Sequence, residues 1–129
     1  MTAPWVELTP VHILGKLPFA SGASPSWPVP VGVVPSTACG LLVFAWARLE
    51  GVNPVATYWH MNVRTTDGRT NWFSLLVPGD PSGQSITGAS QAFWLPMPAD
   101  RQLTVTVRTT GMLSRANMGQ VEIHGYSLQ

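Results

Sequence analysis

The sequence predicts an all-β fold, an antiparallel β-sandwich of the jelly-roll type. From residue 36 onward, short apolar or alternating runs are separated by turn-forming residues, which is typical of strands. No run carries the three-to-four-residue apolar spacing of an amphipathic helix. About seven or eight short strands fit the pattern, and that number suits two packed sheets.

Glycine, proline and aspartate delimit the individual strands. Asp67-Gly68 is the strongest short hairpin signal in the chain and predicts a tight turn between two strands that pair. The stretch 78–88 is rich in turn formers and is predicted to be a loop. In the last two strands apolar and polar residues alternate, which predicts one buried side and one outward side. The predicted strands span residues 40–50, 55–66, 69–77, 90–97, 102–109 and 120–128.

The first 35 residues differ in composition from the rest, because they hold seven of the twelve prolines. Proline fixes φ and donates no hydrogen bond to a ladder, so this region is predicted to be extended or to lie at a sheet edge. We therefore divide the chain into an extended Pro-rich N-terminal arm, residues 1–35, and a β-sandwich domain, residues 36–129. Trp27 lies within the arm's PSWPVP stretch and could anchor the arm in a neighbouring molecule.

The low charge content predicts contact with other molecules. Charged residues make up 10% of the chain, against roughly a quarter in ordinary soluble domains. A folded chain of this length exposes on the order of 6,700 Å², which leaves about one charged residue per 500 Å². We expect neighbours in an oligomer or larger assembly to cover much of this surface. An uncharged monomer rich in Ser, Thr and Gly is the alternative.

The predicted strand 40–50 is apolar on both sides, which supports the same expectation. One side carries Leu41 and Val43, and the other carries Leu42, Phe44 and Trp46. A sandwich covers only one side of each sheet, so the arm or another subunit must cover the second side. The residues predicted to form an interface are Trp5, Pro18, Phe19 and Trp27 of the arm and Leu42, Phe44 and Trp46 of this strand.

Charge and cysteine content argue against several functional classes. A net charge of +1 is too small for the phosphate neutralisation that drives nucleic-acid binding. No apolar run is long enough to span a bilayer, and the N-terminus does not resemble a secretion signal, so no membrane partner is expected. The single Cys39 cannot form an internal disulfide and is expected to be a buried thiol.

No catalytic or metal-binding pattern is found in the sequence. His12, His60 and His124 lie far apart and not at the spacing of metal ligands. The six carboxylates are scattered, and the sequence neither shows nor excludes an acid pair. There is no nucleophile elbow or phosphate loop. We therefore predict that the protein is not an enzyme and uses no cofactor.

The six tryptophans allow a different kind of function. Exposed indole rings can stack on sugars, because they offer apolar area with a polar rim. Packing in the core or against another subunit is the favoured reading for any individual ring. A carbohydrate-binding module therefore stays open as an alternative.

Two stretches of the sequence resemble a known family. SQAFWLPMPADRQLTVTVRTTG, followed by GQVEIHGYSL, resembles the closing strands of tailed-bacteriophage virion domains, and VVPSTACGLLVFAWARLEG is similar to their first core strand. The resemblance spans about residues 33–128 and leaves the Pro-rich residues 1–32 without a counterpart. It implies a jelly-roll module of the kind found as head decorations, head fibres, minor tail proteins and receptor-binding tips, often as trimers.

The function expected from the resemblance and the composition is structural. It is that of a virion protein, assembled in the host cytoplasm, that decorates or stabilises a capsid or tail. Its expected partners are copies of itself, as a homotrimer, and a major capsid or tail protein. The alternative is a carbohydrate- or receptor-binding module directed at a cell-surface glycan.

Overall fold

In a computed structural model the chain folds into strands arranged as two packed sheets. The structure describes residues 5–50, 58–79, 86–110 and 117–129, and strands are the only regular elements within these ranges. The strands are β1 (Trp5–Lys16), β2 (Ser26–Pro28), β3 (Gly40–Glu50), β4 (Tyr58–Arg64), β5 (Asn71–Pro78), β6 (Ile86–Pro96), β7 (Gln102–Thr110) and β8 (Met118–Ser127). No helix in the described ranges has the length and apolar composition needed to cross a membrane.

The strand order identifies the topology. Sheet A has the order β1-β8-β3-β6 and sheet B has the order β2-β7-β4-β5. The pairs β4–β5, β3–β6, β2–β7 and β1–β8 are all antiparallel and are nested in sequence. The chain is therefore one long antiparallel ribbon, folded back between β4 and β5 and rolled into two sheets. This arrangement is a jelly roll, and the predicted fold class is confirmed.

The hairpin turn at the centre of this ribbon is the one predicted at Asp67-Gly68. Gly68 has a φ of 77°, and its amide donates to the carbonyl of Thr65 at 2.9 Å. Asp67 Oδ1 accepts from the amide of Arg69 at 3.0 Å and from the hydroxyl of Thr65 at 2.7 Å. These bonds hold the pKa of the Asp67 carboxyl below its usual value, the bond from the Arg69 amide most of all. The turn prediction is confirmed.

The strand β6 begins earlier than predicted. Residues 86–88 were predicted to belong to a loop, but β6 begins at Ile86 and pairs with β3 along its whole length, from Ile86 opposite Glu50 to Pro96 opposite Gly40. Ladder pairing with a long neighbouring strand outweighs local turn composition here. Residues 55–57 of the predicted strand 55–66 lie outside the described residues.

The core lies between the sheets and is built from one side of each inner strand. Leu41, Val43 and Ala45 of β3 are fully buried, as are Val121 and Ile123 of β8. The alternation predicted for β7 and β8 is confirmed, since their apolar side chains point inward. Sheet B contributes the facing layer, composed of Trp59, Met61, Val63, Phe73, Leu75, Val77, Leu103, Val105 and Val107.

The Pro-rich arm is part of both sheets. β1 is an edge strand of sheet A and β2 is an edge strand of sheet B, so residues 5–16 and 26–28 are extended and lie at sheet edges, as predicted. Between these strands, the indole Nε1 of the buried Trp59 donates to the carbonyl of Pro18 at 3.0 Å, and the Phe19 ring lies 5.2 Å from the Trp59 ring. The Trp27 ring occupies the space that a side chain at Gly15 would need. The division into an arm and a separate sandwich domain stays a prediction.

Arg101 holds residues 29–35, the end of the arm, by hydrogen bonds to their backbone. Arg101 adopts a φ of 55°, which only a few per cent of non-glycine residues do. Its guanidinium donates to the carbonyls of Val34 at 2.7 Å, Val29 at 3.1 Å and Pro35 at 3.3 Å. Three backbone acceptors of residues 29–35 are therefore satisfied by one side chain.

We expect Arg101→Lys to lower the free energy of unfolding by about 2 kcal/mol, because an ammonium keeps the charge but cannot reach three separate carbonyls. Urea unfolding followed by tryptophan fluorescence measures the change. The matched control is Arg69→Lys in the exposed hairpin turn, which should stay within about 0.5 kcal/mol of the wild type. Equal effects of the two substitutions would contradict the role of Arg101.

Candidate functional site

The outer sides of the two sheets differ in composition, since most of the large apolar side chains lie on sheet A, together with Lys16 and Arg48, and sheet B is mostly polar. Cross-strand register places a set of large apolar side chains on the outer side of sheet A. We call this surface the aromatic face; it comprises Trp5, Ile13, Leu42, Phe44, Trp46, Trp94 and Met118. The outer side of sheet B, here the polar face, comprises Tyr58, His60, Asn62, Arg64, Ser74, Leu76, Thr104, Thr106 and Arg108.

The aromatic face is only partly covered by its own chain. Ile13 is 55% exposed and Trp94 is 44% exposed, while Leu42, Phe44 and Trp46 are half-buried. β1 extends sheet A sideways and does not lie across β3. Apart from the Trp5 ring at one corner, residues 5–35 of the arm therefore leave this side of β3 open. Cover by a second molecule stays a prediction.

A buried carboxylate lies in the middle of the aromatic face. Glu122, only 8% exposed, is opposite Phe44 on one side and Ile13 on the other. Its Oε2 accepts from the Trp46 indole Nε1 at 2.9 Å and from the Gln120 amide at 2.6 Å. Its Oε1 lies 2.8 Å from Nε2 of His124. Each oxygen of the carboxylate thus has a partner from the same chain.

These contacts set the ionisation of Glu122. Burial by itself would raise the pKa of the carboxyl, but the hydrogen bonds from Gln120, His124 and Trp46 outweigh burial and lower the pKa below its ordinary value. The charged form is therefore stabilised inside an apolar surface. The network also fixes the orientation of Trp46 and of His124, whose ring lies 4.9 Å from that of Phe44.

A groove opens at the corner of the aromatic face where Trp5 and Trp94 meet. The two rings are 5.9 Å apart and nearly perpendicular, at 83°. Trp5 reaches across β8 because Gly125 has no side chain; an added Cβ there would lie 3.1 Å from the indole. The groove has a volume of about 710 Å³ and is lined by Trp5, Cys39, Gly40, Leu42, Trp94, Leu95, Pro96, Ser127 and Gln129.

Cys39 at the rim of this groove is exposed, so the prediction of a buried thiol is wrong. The residue directly precedes β3 and contributes to the fold through its backbone hydrogen bonds rather than through its side chain. Its amide donates to the carbonyl of Ser127 at 2.7 Å, and its carbonyl accepts from the amide of Met97 at 2.8 Å. These bonds extend the ladder of sheet A by one step and leave the thiol at the surface.

The polar face carries a second groove, of about 530 Å³, along β7. Its cross-strand pairs are His60 opposite Arg108 and Asn62 opposite Thr106. Arg64 lies at one end, where its guanidinium donates to the carbonyl of Gly68 at 3.2 Å. The lining residues are Ser21, Gly22, Ala23, His60, Asn62, Arg64, Asn71, Thr106, Val107 and Arg108.

The structure brings four of the seven predicted interface residues together: Trp5, Leu42, Phe44 and Trp46 all lie on the aromatic face. The other three, Pro18, Phe19 and Trp27, make contacts within their own chain, beside Trp59 and Gly15. The contribution of all seven to an interface stays a prediction.

Sequence reasoning missed the Glu122 network. The signal was present, because Gln120, Glu122 and His124 alternate along one strand and so share a face. In the pairing of β3 with β8, Trp46 lies opposite Gln120 and Phe44 lies opposite Glu122. This register joins residues that are distant in the sequence, so the local pattern did not contain it.

Within the described residues, no group of three or more His, Cys, Asp or Glu side chains is placed to hold a metal ion. Two titratable groups of the aromatic face, Glu122 and His124, contact each other at 2.8 Å. That the protein is not an enzyme and needs no cofactor stays a prediction.

Comparison with known proteins identifies solved structures of similar fold. No family model and no curated protein matches the sequence. The PRD1 vertex protein P5 is similar in structure with a TM-score of 0.51, at 9% identity over 97% of this chain and 94% of that one. The carbohydrate binding module CBM6cm-2 from Cellvibrio mixtus lichenase 5A, in complex with cellotriose, has a TM-score of 0.44 at 11% identity over 81% and 71% of the two chains.

A further solved structure, the C-terminal CBM6 of the laminarinase LamC from Zobellia galactanivorans, has a TM-score of 0.42 at 15% identity and covers 93% of this chain and 97% of that one. At these identities the similarity shows the fold alone. The chain is a jelly-roll β-sandwich.

The Glu122 network makes stability depend on pH in a defined direction. Because the pKa of Glu122 is lowered in the folded state, its contribution is present above the ordinary value of 4.5 and is lost as the pH falls through the folded-state pKa. We expect Glu122→Gln to cost about 1–3 kcal/mol of unfolding free energy at pH 7 and to flatten the decline below pH 4.5. Urea unfolding across this range, at fixed protein concentration, measures both effects.

Trp46→Phe is the companion variant, since it removes one hydrogen-bond donor and keeps an aromatic ring. Its acid-induced loss of stability should begin at a higher pH than that of the wild type. Parallel pH profiles for the wild type and Glu122→Gln would show that the carboxylate contributes no pH-dependent stability.

Proposed function

We propose that this chain is a structural protein of a bacteriophage virion that associates with copies of itself, as a homotrimer, and with a major capsid or tail protein. The observation that carries the proposal is the aromatic face. The outer side of sheet A carries Trp, Phe, Leu, Ile and Met side chains, with Lys16 and Arg48 towards one end, while the outer side of sheet B is mostly polar. Such an asymmetric surface is typical of a protein with a covered side.

The Glu122 network makes the aromatic face suitable for burial. An ionised carboxylate in an interface is costly to desolvate when it has no partners. Here Trp46, Gln120 and His124 supply hydrogen bonds from the same chain. A second molecule can therefore cover the face without providing a partner for the charge, and the apolar side chains around it favour contact by about 25 cal/mol for each Å² removed from water.

Composition and fold support the same proposal. The charge content of 10% leaves little ionic surface for a free monomer of this size. The jelly-roll fold is the one implied by the resemblance to tailed-bacteriophage virion domains, and the vertex protein P5 of PRD1 is a virion protein of similar fold. These observations support the proposed localisation, a place in the virion.

A second candidate function, binding of a carbohydrate or receptor, is favoured by the groove between Trp5 and Trp94. Two perpendicular indoles form a corner in which one ring can stack on the apolar side of a sugar and the other can contact its edge. Ser127 and Gln129 provide polar atoms at the rim. On this reading the exposed rings contact a glycan, and self-association is not required.

The proposed self-association predicts that the protein has the mass of a trimer in solution and that the trimer forms through the aromatic face. Ala92 is exposed on β6 and lies opposite Phe44, so Ala92→Lys introduces a charge on this face without crowding the core. We expect the wild type to sediment as a trimer at micromolar concentration and Ala92→Lys as a monomer. Analytical ultracentrifugation measures the mass.

The matched control is Leu76→Lys, an equal charge on the edge strand of the polar face, which should leave the trimer intact. A wild type that sediments as a monomer, or a trimer equally disrupted by both lysines, would contradict the proposed role of the aromatic face.

The carbohydrate hypothesis predicts glycan-array binding that depends on the corner groove. Trp94→Ala should abolish it, since stacking on an indole contributes much of the affinity for a neutral sugar. Trp72→Phe, which lies on β5 outside the groove, is the control and should retain binding. An array without any bound glycan, or binding that survives Trp94→Ala, would exclude this site.

A further inference from the structure

The groove on the polar face has walls from two different parts of the chain. Residues 21–23 run beside β7, where the Gly22 amide donates to the carbonyl of Val107 at 3.0 Å and the Val107 amide donates to the carbonyl of Ala23 at 3.1 Å. Thr106 of β7 lies in the middle, and His60 and Asn62 of β4 form the opposite wall. The groove therefore follows the strand direction along the two central strands of sheet B.

Positive charge marks both ends of this groove. Arg108 lies directly opposite His60, and Arg64 lies at the other end beside Asn71. No carboxylate lines the groove within the described residues. Arg64 is held by the hairpin through the Gly68 carbonyl, with the Asp67 charge nearby. Arg108 is exposed, and no hydrogen bond or ion pair joins its guanidinium to another described residue.

The spacing of the two arginines restricts the size of a ligand. Arg108 is level with His60, which precedes Arg64 by four residues on the same strand. Four residues of strand span about 13 Å. Because Arg64 is held at the hairpin by the Gly68 carbonyl, this spacing favours an extended chain with negative groups along its length over one small anion.

The remaining lining residues indicate which kind of chain fits. Asn62, Asn71, Thr106 and Ser21 offer amides and hydroxyls, which suit a ligand rich in hydroxyl groups. No Trp, Tyr or Phe ring lines the described part of the groove, whereas single-stranded nucleic acids are commonly bound by stacking successive bases on such rings. An extended peptide usually adds to a sheet edge, and this groove lies over central strands.

We propose that this groove binds an acidic polysaccharide in an extended conformation, with its carboxylates at Arg108 and Arg64 and its hydroxyls at Asn62, Asn71 and Thr106. The inference goes beyond the proposed structural function and does not depend on it. The groove and the aromatic face lie on opposite sides of the sandwich, so a chain assembled through the aromatic face keeps the groove exposed.

Calorimetric titration of the whole chain with a panel of acidic oligosaccharides tests the proposal: hexagalacturonate, hexamannuronate and an α2,8-linked sialic acid hexamer. We expect at least one of them to bind, with an affinity that falls as salt is raised. The methyl ester of the oligosaccharide that binds keeps the sugar rings and removes the negative charges. It should bind at least tenfold more weakly, because the charge-assisted hydrogen bonds to the arginines are lost.

Arg108→Gln should weaken binding of the same oligosaccharide about tenfold, and His60→Gln should weaken it less. Lys16→Gln, on an exposed position of β1 in sheet A, removes the same charge far from the groove and should leave the affinity within twofold. The Ala92→Lys variant should also bind, which separates failure of this proposal from failure of self-association.

Three outcomes would overturn the proposal. The first is that none of the acidic oligosaccharides binds. The second is that Arg108→Gln and Lys16→Gln weaken binding equally. The third is that oligothymidylate or polyglutamate binds as tightly as the best oligosaccharide, because the groove would then be a general polyanion site or a site for another class of polymer.

Discussion

The rest of the structure depends on β3 having two apolar sides. This strand pairs with β6 along one edge and with β8 along the other, so it occupies the centre of sheet A. Its inward residues fill the core with Leu41 and Val43, and its outward residues form the centre of the aromatic face with Phe44 and Trp46. Stability and surface chemistry are therefore specified by alternate residues of a single strand, and a slip of one residue in its register would exchange the two sets.

The two outer faces show how one small domain can separate two kinds of contact. On the aromatic face the only buried charge, that of Glu122 among the described residues, is stabilised by hydrogen bonds from its own chain. On the polar face, Arg108 has no such partner among the residues described. A charge whose hydrogen bonds are satisfied internally tolerates being covered, whereas an unsatisfied cation gains most from an external anion.

Much of the fold could be predicted because its signals are local. The bounds of β3, the Asp67-Gly68 turn and the alternation in β7 and β8 follow from residue type and spacing within a few residues. The site could not be predicted to the same extent, because it depends on register between distant strands. Glu122 meets Trp46 across 76 residues of sequence, and residues 86–88 become a strand only because β3 is long enough to pair with them. Likewise, no local signal indicates that Phe19 stacks on Trp59, which is distant from it in the sequence.

The irregular pairing of β1 limits how copies of the chain can join. β1 is an outer strand of sheet A, and its ladder with β8 is interrupted by register shifts between Glu7 and His12 and between Ile13 and Gly15. Pro10 within it has no amide hydrogen to donate. An incoming strand therefore finds no continuous row of free backbone donors and acceptors, and open-ended cross-β growth along this side is disfavoured.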